Sequence, residues 1–331
     1  MKLKPIAAAL LTLTCLLPLN AQAETRMDFS NEYNASSIHA EGDLYFIEQV
    51  KALTQSEVDI TLHTGGALGF KSADHFYAVS DNAIQIADTL AGTLSGIDPI
   101  FLLSSLPFLA ENEDEAEALY KVARPYYEQV FADNNQVLLY ASPWPASGIW
   151  AKKQVASTSD LEQLKIRTYD KNGTITLREA GASPVKLSWA DVVPQLSTGG
   201  IEAVLTSAEA GANGSFWEHL DHYSAIQYAV PLNMVHMNKG EFDALDAPQQ
   251  QAILEAAKRT DAHNWQEVRS RVAENYQELG EHGVNIQNPV SPELATALKD
   301  AARLAITQWL EVAGERGEAI MAQFEASGRT Q

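Results

Sequence analysis

The 331-residue chain predicts an α/β fold in two domains with long C-terminal helices, on three observations. Short apolar strands alternate with helical stretches as far as Thr206, the rhythm of strands covered by helices. The length exceeds what one core usually serves. Beyond Ala247, two amphipathic stretches run from about Gln249 to Gly280 and from Pro292 to Ala326.

The elements follow in order. Arg26 to Tyr33 reads as a short strand, and Leu44, Ile47 and Val50 then recur at helical spacing on one face. Val58, Ile60 and Leu62 alternate with Asp59 and Thr61, as in a half-buried strand, and Gly65-Gly66 closes it. A helix over about Ala73 to Ser80 precedes the apolar run Ile84 to Leu90, and Asn135 to Ala141 reads as another strand. Pro143-Trp144-Pro145 is rigid and marks a crossing between domains. Ile166 and Arg167 end a strand, a helix covers about Asn172 to Ala180, and Val185 to Leu187 is extended. Ala190 to Leu196 is helical up to the stop signal Gly199-Gly200, and Ala203 to Thr206 is again a strand.

The first residues predict export. Lys2 and Lys4 precede the apolar stretch Ile6 to Leu19, which is too short to span a bilayer, and Ala21-Gln22-Ala23 ends it. Residues 1–23 therefore read as a signal peptide, cleaved after Ala23. Cys15, the only cysteine, follows Thr14, a poor fit to a lipoprotein site, and leaves with the signal. The mature chain then has no disulfide, no thiolate nucleophile and no zinc–cysteine site. A composition 46% hydrophobic supplies a core without them. No later segment reaches the roughly 18 apolar residues of a membrane helix, so the mature chain is expected to be soluble.

The formal charge of −20 becomes −22 once the two signal lysines are removed. So acidic a surface repels phosphate backbones, which argues against nucleic acid as a partner. It favours cationic ligands, or simply keeps the protein soluble in a salty medium.

Several segments, taken in order, carry a family resemblance. They are Asn31-Glu32-Tyr33, Leu106-Pro107-Phe108-Leu109, Asp160 to Thr168 with its Leu164-Lys165-Ile166-Arg167, Gly181-Ala182-Ser183-Pro184-Val185, Trp189-Ala190-Asp191-Val192 and Leu196 to Ala203. Together they make the chain resemble the substrate-binding subunits of tripartite ATP-independent periplasmic (TRAP) transporters, the DctP-like family. The resemblance spans essentially the whole mature length. It implies a two-lobed periplasmic binding protein fold with a hinged cleft that closes on a small-molecule ligand, usually an organic acid, with no cofactor. It also implies a TRAP membrane permease as partner, driven by an ion gradient. Such chains cross between lobes more than once. The expected division is 24–145 plus 232–272 for the first lobe and 146–231 plus 273–331 for the second.

The resemblance implies that Arg167 pairs with a ligand carboxylate, a role that suits a planar, always-charged guanidinium. Many members carry an Asp-Gly-Gln-Glu-Asn-Pro stretch whose asparagine contacts ligand. Here Thr206 stands in that asparagine's place, with Ser207 and Glu209 close behind. The second arginine of sialic-acid-type members is absent from Pro145 to Trp150, which argues against a sugar-acid ligand. Trp144, Trp150 and Trp217 are candidate cleft walls, able to pack on apolar ligand parts or hold a cation. Trp189, at a helix start, reads as core. Tyr33 and Asp88 sit at strand positions where cleft residues are expected. Glu209 with Asp88 would turn the site toward an amine, an amino alcohol or a zwitterion.

Enzyme and metal signatures are wanting. The sequence has no G-x-S-x-G, H-E-x-x-H or G-x-x-x-x-G-K-[ST] motif. His219 and His222 are three apart with no evident third ligand, and Glu115/Glu117 reads as a solvated helix face. A receptor that reports to a sensor protein instead of a permease shares every feature above.

Overall fold

The computed structural model describes residues 25–327. The expected signal segment, Met1 to Ala23 with Cys15, lies outside them. In chain order the strands are β1 (Thr25–Asn31), β2 (Val58–His63), β3 (Ile86–Leu90), β4 (Gln136–Pro143), β5 (Gly148–Ala151), β6 (Lys165–Thr168), β7 (Ser183–Lys186), β8 (Ala203–Thr206), β9 (His222–Ser224), β10 (Leu232–Asn238) and β11 (Asn285–Gln287). The α-helices are α1 (Ile38–Leu53), α2 (Ser72–Ser80), α3 (Glu113–Asp133), α4 (Lys171–Glu179), α5 (Val192–Thr198), α6 (Ala208–Asn213), α7 (Lys239–Ala244), α8 (Ala247–Glu281) and α9 (Pro292–Ala326).

The strands form two sheets, one per lobe. The first has the order β2-β1-β3-β10-β4, the second β11-β9-β5-β8-β6-β7. β1 runs parallel to β2 and β3, and β6 parallel to β7 and β8, because a helix returns the chain between successive parallel strands. The chain leaves the first sheet after β4 and re-enters it at β10. The two crossing segments lie side by side: Trp144 N donates to Pro231 O (2.9 Å), Ser147 N to Ala229 O (2.9 Å) and Tyr228 N to Ser147 O (2.9 Å). The rigid Pro143-Trp144-Pro145 is thus one rail of a two-stranded hinge.

Two helices join the lobes as well. α8 has 35 residues, about 52 Å at 1.5 Å per residue, and packs on α1 and β4 of the first lobe and on α6 and β11 of the second. α9 is interrupted at Gly314, whose φ of +57° suits glycine. Before the break, Leu294 and Leu298 join the second lobe's core. Ile320 and Phe324, beyond it, join the first lobe's core with Trp309, whose Nε1 donates to Pro99 O at 2.8 Å.

Two expectations change. Leu44 is 45% exposed, and the buried face of α1 carries His39, Asp43, Phe46 and Val50. Ile47 and Val50 of the expected face do pack on the core, and polar His39 and Asp43 take the place that Leu44 was expected to hold. Glu117, expected on a solvated face, is mostly covered and pairs with Lys121 and Arg269 on α8.

Candidate functional site

A cavity of about 710 Å³, its mouth included, lies between the two sheets. Its lining follows from strand direction: side chains at or just past the carboxyl ends of parallel strands face the gap between lobes. From the first lobe, Glu32 and Tyr33 follow β1 and Leu90 ends β3. From the second, Arg167 lies near the end of β6, Lys186 ends β7, and Thr206 ends β8 with Ser207 after it. Ser72, Trp144, Tyr169 and Trp189 complete the walls.

Arg167 is 3% exposed. Its Nε donates to Leu187 O at 3.0 Å, which fixes the plane of the guanidinium. The group lies 5.9 Å from the Tyr169 ring and 6.0 Å from the Trp189 ring, within reach of cation–π attraction. Among the described residues no carboxylate comes within ion-pair distance of it. Burial lowers its pKa to about 10, partly opposed by Tyr33 and Glu32, so it stays charged at neutral pH. A buried cation that lines a cavity with no protein carboxylate at ion-pair distance is poised for an anionic ligand.

Glu32 is the acidic counterpart. Its Oε1 accepts from Ser72 Oγ, while Oε2 is buried with no hydrogen-bond partner. Burial raises its carboxyl above the ordinary range, against the lowering pull of Ser72, Arg167 and Lys71. The cavity therefore offers a donor fork on one lobe and a free acceptor on the other.

The aromatic wall is layered. Tyr33 meets Trp144 edge to face at 4.9 Å between centroids, Trp189 lies 6.2 Å from Tyr33, and His39 packs behind Trp144 at 4.0 Å. Trp144 Nε1 donates to Asn233 Oδ1 (2.9 Å), and Asn233 Nδ2 donates to Asp88 Oδ1 (2.6 Å).

Of the residues expected at the site, Arg167, Tyr33, Trp144, Thr206 and Ser207 come together in this cavity. Asp88, Trp150, Glu209 and Trp217 do not line it. Asp88 is fully buried beneath the wall, beside Asp43, which accepts from Asn31 Nδ2 (2.6 Å) and Tyr140 Oη (2.9 Å). Burial, with Asp43 alongside, holds the Asp88 carboxyl well above its usual range, so the pair keeps a proton. Trp150 is core between Phe216 and Tyr223, and its Nε1 donates to Ser207 O at 3.1 Å, bracing Ser207 from behind. A Cβ on Gly211 would lie 2.0 Å from Trp150, so only glycine allows α6 this approach. Trp217 stacks on His282 at 3.8 Å. No group of three or more His, Cys, Asp or Glu among the described residues could hold a metal ion, His219 and His222 included.

Glu209 bridges the lobes. It is 1% exposed, and Oε1 accepts from Ile38 N (2.9 Å) at the start of α1 and from Asn213 Nδ2 (2.7 Å). Oε2 accepts from Asn275 Nδ2 (2.7 Å) on α8. Near the mouth, Lys71 of the first lobe pairs with Asp191 of the second at 3.0 Å.

Glu32, Ser72, Tyr169, Lys186 and Trp189 escaped the sequence reading. Glu32 had a signal, since it directly follows a strand whose next residue, Tyr33, was already singled out. Trp189, expected in the core, is only half-buried and lies against the Arg167 guanidinium.

Residues 29–310 match the family model DctP, bacterial extracellular solute-binding protein, family 7. DctP7 of Bordetella pertussis, an extracytoplasmic solute receptor binding pyroglutamic acid, is 30% identical with a TM-score of 0.88, covering 91% of this chain and 99% of that one. A marine metagenome TRAP solute-binding protein specific for pyroglutamate is 29% identical with a TM-score of 0.88, covering 92% and 99%. The ectoine/5-hydroxyectoine-binding periplasmic protein UehA of Ruegeria pomeroyi is 24% identical over 290 residues, 85% of this chain and 84% of its own.

Proposed function

Because the chain belongs to the DctP family of bacterial extracellular solute-binding proteins, we propose that its cleft captures a small cyclic carboxylate bearing a ring N–H, pyroglutamate foremost. The bound acid is handed to the membrane permease of a TRAP transporter. The chain acts in the periplasm after cleavage behind Ala23, so mass spectrometry of the exported protein should find Glu24 first.

The observation that carries this reading is the pairing of poles across the cavity: the Arg167 guanidinium without a protein anion, and Glu32 Oε2 without a donor. A carboxylate satisfies the first and a ring N–H the second, while the rings of Tyr33, Trp144 and Trp189 suit a flat, compact body. The 29–30% identical receptors bind pyroglutamate, which has this combination of groups. No helix among the described residues is long and apolar enough to cross a membrane.

Titration calorimetry of the mature chain tests this with pyroglutamate, ectoine, proline and cyclopentanecarboxylate. Pyroglutamate is expected to bind most tightly. A chain that ignores all the cyclic N–H acids yet binds a uronate or an amine sinks the reading. Glu32→Ala is expected to weaken N–H-bearing acids at least about tenfold, the scale of a lost hydrogen bond to a charged group. Cyclopentanecarboxylate, which has no N–H, should be unaffected by the same change.

A further inference from the structure

The chain's formal charge is −20, yet residues 144–206 carry seven lysines and arginines against six aspartates and glutamates. Three of those cations, Lys171, Arg178 and Lys186, rim a second, more open concavity of about 980 Å³, its mouth included, on the outside of the molecule. All three are exposed, and none is ion-paired or hydrogen-bonded through its side chain among the described residues. One acid, Glu179, shares the rim. Ile175 and Leu304, the latter 40% exposed, give the groove an apolar floor.

Two features tie this groove to the state of the ligand cleft. Lys186 lines both cavities, so the groove begins where the cleft's mouth ends. The groove is also composite: Ser95 comes from the first lobe, Lys171 to Glu179 and Lys186 from the second, and Leu304 from the helix that joins them. Its shape therefore depends on how the lobes sit.

We propose that this groove docks an acidic segment on the outer face of the membrane permease, with carboxylates for the cationic rim and an apolar side chain for Leu304. Ser95 alone of the lining belongs to the first lobe, so that edge of the groove moves with the lobes and couples docking to the state of the cleft. The proposal rests on the transport reading above. Charge complementarity selects the occupant, since an isolated basic rim on a strongly acidic protein attracts acidic partners and orients their approach. A free inorganic anion has no use for the apolar floor, and an anionic lipid surface would repel the rest of the molecule.

The test uses the mature chain and its cognate TRAP permease, in cells or proteoliposomes. Lys171→Glu/Arg178→Glu is compared with Lys51→Glu/Lys258→Glu, which makes the same charge change at exposed positions elsewhere. The groove variant is expected to bind pyroglutamate within about twofold of wild type while uptake falls about tenfold or more, in line with lost electrostatic steering. The control variant is expected to support wild-type uptake. Wild-type uptake equalled by the groove variant overturns the docking assignment alone, as does an equal fall in both variants. A wild-type chain that binds ligand yet drives no uptake overturns the transport reading and the groove with it. Binding to anionic vesicles that the groove variant loses would reassign the groove to a lipid surface.

Discussion

Arg167→Ala is expected to abolish binding of carboxylates, by about a hundredfold or more, while the ligand-free protein unfolds at the same temperature or higher. The two halves have one cause. In the closed cleft a ligand carboxylate would be desolvated, and without the guanidinium it stays buried and unpaired. Truncating one partner of such a pair costs about 2–5 kcal/mol or more. Without ligand the balance reverses: a cation 3% exposed, with no protein carboxylate at ion-pair distance, contributes a desolvation penalty that alanine removes. Thermal unfolding with and without pyroglutamate reads both effects at once, because ligand stabilises by mass action. Arg167→Lys should remain weak, since an ammonium keeps the charge but loses the planar fork. An Arg167→Ala protein that still gains stability from pyroglutamate would remove Arg167 from the site.

Glu209→Gln is expected to weaken every ligand by a similar factor, about ten- to a hundredfold, although Glu209 does not line the cavity. Its two oxygens accept from Ile38 N, Asn213 and Asn275, which sit on α1, α6 and α8. An amide presents a donor toward one of these donors and leaves a buried polar group unpaired, at about 1–3 kcal/mol. Of these three donors only Ile38 N belongs to the other lobe, and opening the cleft exposes it to water, so the loss of that bond falls on the closed form. Closure and binding are one equilibrium, and affinity drops by the fraction of closed states lost. Calorimetry with pyroglutamate and with cyclopentanecarboxylate discriminates the roles. Equal losses identify an interlobe brace. A loss confined to N–H-bearing or cationic ligands would instead make Glu209 a direct contact.

Much of the site was legible because it depends on local geometry. Arg167, Thr206 and Ser207 sit at strand ends, and an extended run followed by helical spacing places such ends on any α/β sheet. Asp88 and Trp150 misled for a shared reason. β3 and β5 lie inside their sheets and are buried on both faces, so neighbouring residues carry no sign of which side meets the cleft. The function of Glu209 was illegible because its partner Ile38 lies 171 positions away, and only the folded chain brings them together. The division of the C-terminal region had the same difficulty: Leu298 and Phe324 share one amphipathic pattern but enter the cores of different lobes.

Two of the contacts between the lobes respond differently to dissolved ions. Lys71 and Asp191 have side chains 42% and 46% exposed, and mobile ions at 0.1 M screen charges over about 10 Å. Such a pair contributes at most about 1 kcal/mol. Glu209, at 1% exposure, is beyond the reach of that screening. Brine therefore loosens the rim of the closed receptor and spares its interior brace. Residence time of the bound acid should shorten by no more than about fivefold between dilute buffer and seawater strength, as stopped-flow release would record. A receptor braced in this way is expected to keep its hold on cargo over a wide range of ionic strength.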